Sequence, residues 1–150
     1  YHQNPHYLAL INIYGEEKVI PIAAKLEHEL SQLDDNEARE MRSIFNVQQT
    51  GLDRVINTSY KLLGLITFYT VGPKEAHAWS IKSGTTIRAA AGEIHSDLEK
   101  GFICAEIFCY TELVAAGSER AIKESGKLRI EGQDYLVRDG DIIHVRFNVK

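Results

Sequence analysis

The stretch AAAGEIHSDLEKGFICAEIFCY, residues 89–110, decides the fold. Three alanines and Gly92 describe a helix that packs closely against a neighbour. Ile94-His95-Ser96-Asp97-Leu98 then turns the chain, and Glu99-Lys100-Gly101 ends the turn. FICAEIFCY is an apolar run of strand length. The helix is expected from about Thr86 to Glu93, with Thr85 or Thr86 as its N-cap. A helix followed directly by a buried strand needs further strands beside it, and the flanking sequence supplies them.

Upstream, LITFYTV (65–71) and AHAWSI (76–81) are β-rich runs separated by Gly72-Pro73-Lys74-Glu75, a hairpin-like pair. Downstream, SERAIKESG (118–126) reads as a short helix with Ser118 as N-cap and Gly126 at its end. DYLVRDGDIIHVRFNV (134–149) reads as a closing hairpin turned at Asp139-Gly140, with Ile143, Val145 and Phe147 alternating against Ile142, His144 and Arg146. The order ββαβ, short helix, hairpin is that of a small mixed sheet crossed by one helix, a β-grasp (ubiquitin-like) arrangement in the α+β class. Ala89, Ala90, Ile94, Ile103, Ile107, Ile143, Val145 and Phe147 are its expected core.

Residues before Gly64 follow another period. KVIPI (18–22) is a short apolar run, read as one strand limited by Pro21. Leu26, Leu30 and Leu33 then fall at helical spacing. Asp34-Asp35 with Glu37 opens a second helix carrying Ala38, Met41, Ile44 and Phe45. After Gly51, a third helix carries Leu52, Val55, Ile56, Leu62 and Leu63 and stops at Gly64. One strand with three helices lacks a sheet of its own, so partner strands are expected upstream. The chain begins at Tyr1, from which we expect a piece of a longer polypeptide. The expected units are residues 1–65 and 66–150, with residues 1–17 unassigned.

Composition narrows the function. The net charge is −4, divided as six Lys/Arg against nine Asp/Glu in residues 1–65 and eleven against twelve in residues 66–150. Neither part is basic overall, so bulk charge does not argue for nucleic acid, although a local basic face is compatible with it. No apolar run approaches the roughly 18 residues of a membrane span. Cys104 and Cys109 lie five apart in one strand, on opposite faces, and cannot pair. Two such thiols without a secretion signal fit a reducing, cytoplasmic compartment.

Several chemistries are missing. Gly126-Lys127 is the only Gly-Lys pair, and Ala121 and Leu128 stand where a phosphate-binding loop needs glycine and Ser/Thr. No Cys or His pair has zinc spacing, and G-x-S-x-G is absent. Among six histidines, His2 and His6 lie near the terminus, and His28 sits between two glutamates. His77 begins a strand, and His144 alternates with core residues towards the surface. His95 stays open: Ser96-x-x-Glu99 has capping-box spacing, so the imidazole precedes a short helix, contacts a partner, or acts with Asp97 or Glu99 in a small enzyme.

AAGEIHSDLEKGFICAEI, followed by YLVRDGDIIHVRF, resembles the TGS domain shared by threonyl-tRNA synthetases, certain GTPases and stringent-response proteins. The similarity is closer still to the YchF/Obg-like ATPases. FYTVGPKEAHAW looks like the start of their TGS domain and EGQDYLVRDGDIIHVRFNV like their C-terminus. The helical stretch from LSQLDD to KLLGL resembles their inter-domain segment, and VIPIAAKLEHEL the last strand and base-touching loop of their nucleotide-binding domain.

The resemblance implies a C-terminal, regulatory portion of a ribosome-associated NTPase that uses ATP or GTP with Mg. The loop and motifs that hold the nucleotide would lie outside this chain, leaving Ala23, Ala24 and Lys25 as a pocket remnant and no turnover of its own. Its implied partners are the ribosome or structured RNA and the nucleotide-binding domain, with no DNA and no membrane. His95 and Lys100, joined by Arg88, Lys123, Lys127, Arg129 and Arg138, are the implied contacts. The alternative is a ubiquitin-like protein-interaction module.

Overall fold

The computed structural model describes residues 3–45, 47, 49–72 and 75–148. The chain divides into two compact units, Tyr1–Leu62 and Leu63–Lys150. His2, and Pro73 and Lys74 of the expected first hairpin turn, lie outside the described residues.

The first unit is helical. α1 (Pro5–Tyr14) falls in the stretch the sequence reading left unassigned. Its cap signals are local: the Asn4 side chain accepts the amides of His6 and Tyr7, and Pro5 occupies the first turn, where no N–H is needed. α2 (Ala24–Leu30) and α3 (Asp35–Ile44) follow the expected periods. Asp34 caps α3 by accepting from Asn36 and Glu37. α4 (Gly51–Leu62) is capped reciprocally, Asp53 N–H donating to Thr50 Oγ1 at 3.0 Å and Thr50 N–H to Asp53 Oδ2 at 3.3 Å.

The expected strand at 18–22, read as the last strand of a nucleotide-binding domain, is corrected. Glu16–Lys18 form a 3-10 turn, and residues 19–23 have no regular structure. A strand needs a partner ladder and this segment has none; Pro21 brings no N–H, and its carbonyl accepts from Arg54 Nη1 at 3.0 Å.

The second unit is a mixed sheet with helices on both faces. Its elements are β1 (Leu65–Val71), β2 (Ala76–Lys82), α5 (Ile87–Ile94), α6 (Ser96–Lys100) and β3 (Phe102–Cys109), then α7 (Tyr110–Ala116), α8 (Glu119–Glu124), β4 (Arg129–Glu131) and β5 (Asp141–Phe147). The strand order is β2-β1-β5-β3-β4. β1 and β5 run parallel at the centre, and the other neighbours are antiparallel.

Because successive strand residues face opposite ways, the sheet feeds two clusters. Phe68, Ile81, Ile107 and Ile143 pack with Ile87 and Ala90 of α5. Phe108 and Ile142, on the reverse side, pack with Ile122 of α8 and with Leu113 and Ala116 of α7. α7 was not foreseen; Glu112 accepts the Cys109 N–H at its start, and Gly117 ends it in the left-handed region. β4, only three residues long, was also missed.

Three expectations need correcting. The closing hairpin is a turn and not a strand pair: Arg138–Asp141 reverses the chain with Gly140 at φ 81, but β5 pairs with β1 and β3, while Leu136 bridges only to Thr86. Asp139 instead accepts the Thr67 amide at 2.8 Å, and Thr67 O takes the Gly140 amide, which docks the turn on β1. In the core, Ala90, Ile107 and Ile143 are buried and Ile94 and Val145 pack against them, but Ala89 is exposed and Ala91 takes the inward position. Ile103 is 61% and Phe147 43% exposed. A register shift between Phe102 and Cys104 reverses the alternation there, so Phe102 turns inward in place of Ile103.

His144 points off the first core as expected, yet it is not a free surface group. Its ring lies 5.8 Å from Phe108, and Nε2, closed from solvent, sits 3.5 Å from Glu119 Oε1. The expected helix at 118–126, observed as α8, covers it from the reverse face.

Candidate functional site

The α5–α6 corner grows from its sequence. Thr86 caps α5 by accepting the Ala89 amide, and α5 ends at Ile94, which turns into the core. His95 is extended (φ −163°, ψ 140°) and serves both helices. Its N–H closes α5 on Ala91 O, and its Nδ1 accepts the Asp97 amide at 3.2 Å, making His95 itself the N-cap of α6. Ser96, the expected cap, is the first residue of α6. With Nδ1 accepting, the proton of the neutral ring sits on Nε2, and the side chain is 65% exposed.

The carboxylates nearby do not form a paired centre. Asp97 Oδ2 is 3.6 Å from His95 Nδ1. Glu99 lies instead against α5: a β-carbon on Gly92 would stand 2.7 Å from its Oε2. The enzyme alternative therefore lacks a convergent acid–base set. Arg88 Nε donates to Glu99 O at 3.2 Å and Nη1 to Gln133 at 3.5 Å, fastening the end of α6 to the start of α5. Lys100 is exposed with no ion pair among the described residues.

The remaining basic candidates do not share that corner. Lys123 lies on α8, on the reverse side of the sheet, and Lys127 follows it; both are exposed. Arg129 is engaged with Asp141 at 3.6 Å, Glu131 at 3.7 Å and the Tyr135 ring at 5.5 Å. Burial opposes its charge, but the Tyr135 hydrogen bond and the fields of Asp141 and Glu131 prevail and raise its pKa. Asp141, 2% exposed, accepts from Tyr135 Oη and the Arg138 amide, both at 2.9 Å. The Arg138 side chain is exposed. Sequence reasoning missed this Arg129–Tyr135–Asp141 network, and Asp141 beside the Asp139-Gly140 turn was its only local signal.

In the first unit, Ala23, Ala24 and Lys25 begin α2. Ala23 gives no side-chain cap, and Lys25 reaches Glu29 at 3.9 Å from a 92% exposed position. Glu27 Oε1 accepts the Gly51 amide at 2.6 Å, tying α2 to the start of α4. Among the described residues, no group of three or more His, Cys, Asp or Glu could hold a metal ion. Among the described residues, no helix is long and apolar enough to cross a membrane.

A family model, YchF-GTPase_C, described as a protein of unknown function (DUF933), matches residues 65–148. The chain is 43% identical over 150 residues to the protein of Pasteurella multocida named ribosome-binding ATPase YchF, covering 98% of this chain and 41% of that one. The Bacillus subtilis protein of the same name is 46% identical over 132 residues, 88% of this chain and 36% of the relative. Among solved structures, the Schizosaccharomyces pombe YchF GTPase superposes with a TM-score of 0.79 at 33% identity, over 93% of this chain and 38% of that one. The chain thus spans about two fifths of the relatives it matches. Matched in sequence through its whole sheet-bearing unit, and in structure through nearly all its length, the chain belongs to the YchF family, as a C-terminal region.

Proposed function

We propose that this chain is the binding and regulatory C-terminal portion of a ribosome-associated NTPase. Residues 66–150 would be its TGS module. Residues 1–65 would be a helical linker joined to the tail of the nucleotide-binding domain, which they contact within the same polypeptide. The observation that carries the reading is the family match over residues 65–148, with relatives named as ribosome-binding ATPases. The strand order β2-β1-β5-β3-β4 with α5 across one face supports the β-grasp assignment.

ATP or GTP with Mg would be held mainly by residues beyond those described. This sequence has no P-loop, and its described residues include no metal-ligand group, so the chain's share of the pocket would be Ala23, Ala24 and Lys25 at most, and no turnover is assigned to it. The partner is the ribosome or structured RNA, in the cytoplasm, with no role for DNA or membrane. His95 is the contact candidate the geometry supports best, because its Nε2–H is directed away from the cap bond and its side chain is exposed. Imidazole can stack on an unpaired base or donate to phosphate, with Lys100 beside it for charge.

Ribosome cosedimentation of the wild type, His95→Ala and Lys100→Ala at low and raised salt tests this. The expected outcome is salt-sensitive binding weakened in both variants. Wild-type binding retained by both folded variants would remove His95 from the interface and leave it as the cap of α6.

A further inference from the structure

His95 serves two helices with two parts of one residue. Its backbone N–H closes α5 on Ala91 O at 3.1 Å, and its Nδ1 accepts the Asp97 amide at 3.2 Å. Helices are usually capped by hydroxyl, amide or carboxylate oxygens, none of which gains a proton near neutral pH. An imidazole cap differs, because Nδ1 accepts only while the ring is neutral. A second proton on the ring makes Nδ1 a donor, and the Asp97 N–H then faces another N–H.

An acceptor for that donor is already in place. Asp97 Oδ2 lies 3.6 Å from Nδ1, just beyond hydrogen-bond reach, on the very residue whose amide is held. The other charged groups around the corner are engaged elsewhere or face water. Glu99 lies against Gly92 of α5, Arg88 donates to Glu99 O and reaches the uncharged Gln133, and Glu93 and Lys100 are exposed. Of the strands that α6 touches, β3 brings Glu106 and β5 brings Arg146, paired with each other; Asp141 and His144, farther along β5, meet Tyr135 and Glu119. The far end of α6 is pinned: Gly101 N–H donates to Asp97 O and Asn148 N–H to Gly101 O, both at 2.9 Å. Loss of the cap therefore loosens Ser96 and Asp97, while Ile94 stays packed on the core.

We propose that His95 is a proton-operated cap: protonation of its imidazole releases the Asp97 amide, pairs Nδ1–H with the Asp97 carboxylate and frees the first turn of α6. One bond is exchanged for another within the same two residues, so the change is local and the fold is kept. The proposal rests on the reading of His95 as a contact and names the regulation of that site. An anionic partner at Nε2 favours the imidazolium, so binding and cap release favour each other.

The test is proton–nitrogen NMR of the 150-residue chain from about pH 8 down to about pH 5, the range in which imidazole changes charge. The alkaline form should show Nδ1 bare and Nε2 carrying the proton. As His95 titrates, the Asp97 amide should lose about fivefold in exchange protection, the worth of a side-chain cap, with the same midpoint. The His95 and Gly101 amides should stay protected. His95→Asn keeps an accepting oxygen and does not titrate, so its Asp97 amide should stay protected throughout. An Asp97 amide indifferent to the His95 titration, or released equally in His95→Asn, would overturn the proposal, as would an alkaline ring protonated at Nδ1. Ribosome cosedimentation separates the cap from the reading beneath it: tighter binding at the acid end is expected of the wild type and not of folded His95→Asn. Cap release by NMR without ribosome binding at either pH would overturn the contact reading and its regulation, and uphold the cap exchange.

Discussion

The two units of this chain treat their apolar residues differently. Among the described residues, the second unit closes Phe68, Phe108, Ile87, Ile107, Ile122, Ile142 and Ile143 almost completely from solvent. The first buries Leu30 and Ala38, while Ile44, Leu52, Ile56 and Leu62 remain exposed on well-formed helices. Both have sound caps and sound periodicity. A helix stripe becomes a core only where a second layer meets it, and the sheet supplies that layer in one unit alone. Helix periodicity therefore reports a face that needs covering, not the presence of its cover.

The largest expected effect separates the units by stability. Phe68→Ala, which empties a fully enclosed site, should destabilise the second unit by about 3–5 kcal/mol. Leu30→Ala should cost less, about 2 kcal/mol, because the buried leucine leaves a smaller cavity than a phenylalanine. Denaturant unfolding followed by the single tryptophan, Trp79 of β2, and by far-ultraviolet dichroism resolves the two. Equal losses in one shared transition would break the comparison.

Next in size, Ala90→Leu overpacks the contact between α5 and the sheet. Ala90 is 1% exposed, and a loss of about 2 kcal/mol is expected. An unchanged melting temperature would show that the helix can retreat. Thr50→Ala removes one half of the reciprocal cap on α4 and should lower stability by about 1 kcal/mol. Its signature is lost helicity with the Trp79 signal unmoved, which would sharpen the division between units.

The smallest effect is a pH dependence. Burial raises the Tyr135 pKa; the Arg129 hydrogen bond opposes this, and donation to Asp141 adds to it, with a net rise. The folded state therefore holds this proton more tightly than the unfolded chain does. The resulting stability is fully present below the ordinary tyrosine value of 10.0 and is lost as pH rises through the higher folded value. Tyr135→Phe should flatten the melting-temperature profile of the second unit above pH 10, and an identical slope would remove Tyr135 from the linkage.

The candidate contacts illustrate why a site is harder to read than a fold. Arg88, Lys100, Lys123, Lys127, Arg129 and Arg138 are alike on paper. Folding fastens Arg88 to the end of α6, commits Arg129 to Asp141 and Tyr135, and separates Lys100 from Lys123 by the thickness of the sheet. Tyr69 and Tyr110 stand forty-one positions apart and meet because β5 pairs with both β1 and β3, bringing the end of β3 near Tyr69.

What the amino-acid order determined by itself was local. The strands at 65–71 and 76–81, the caps at Asp34, Thr86 and Ser118, and the change of period near Gly64 follow from neighbouring residues, whose energetics depend on the residue and its near neighbours alone. Long-range pairing decided the rest. KVIPI had the composition of a strand and no ladder to join, whereas DIIHVRF passed over its expected hairpin partner and bonded to β1 and β3. His144 was alternated to the surface by its own strand and then covered by α8. A side chain's face is set by its strand, but whether that face meets water is set by what folds over it.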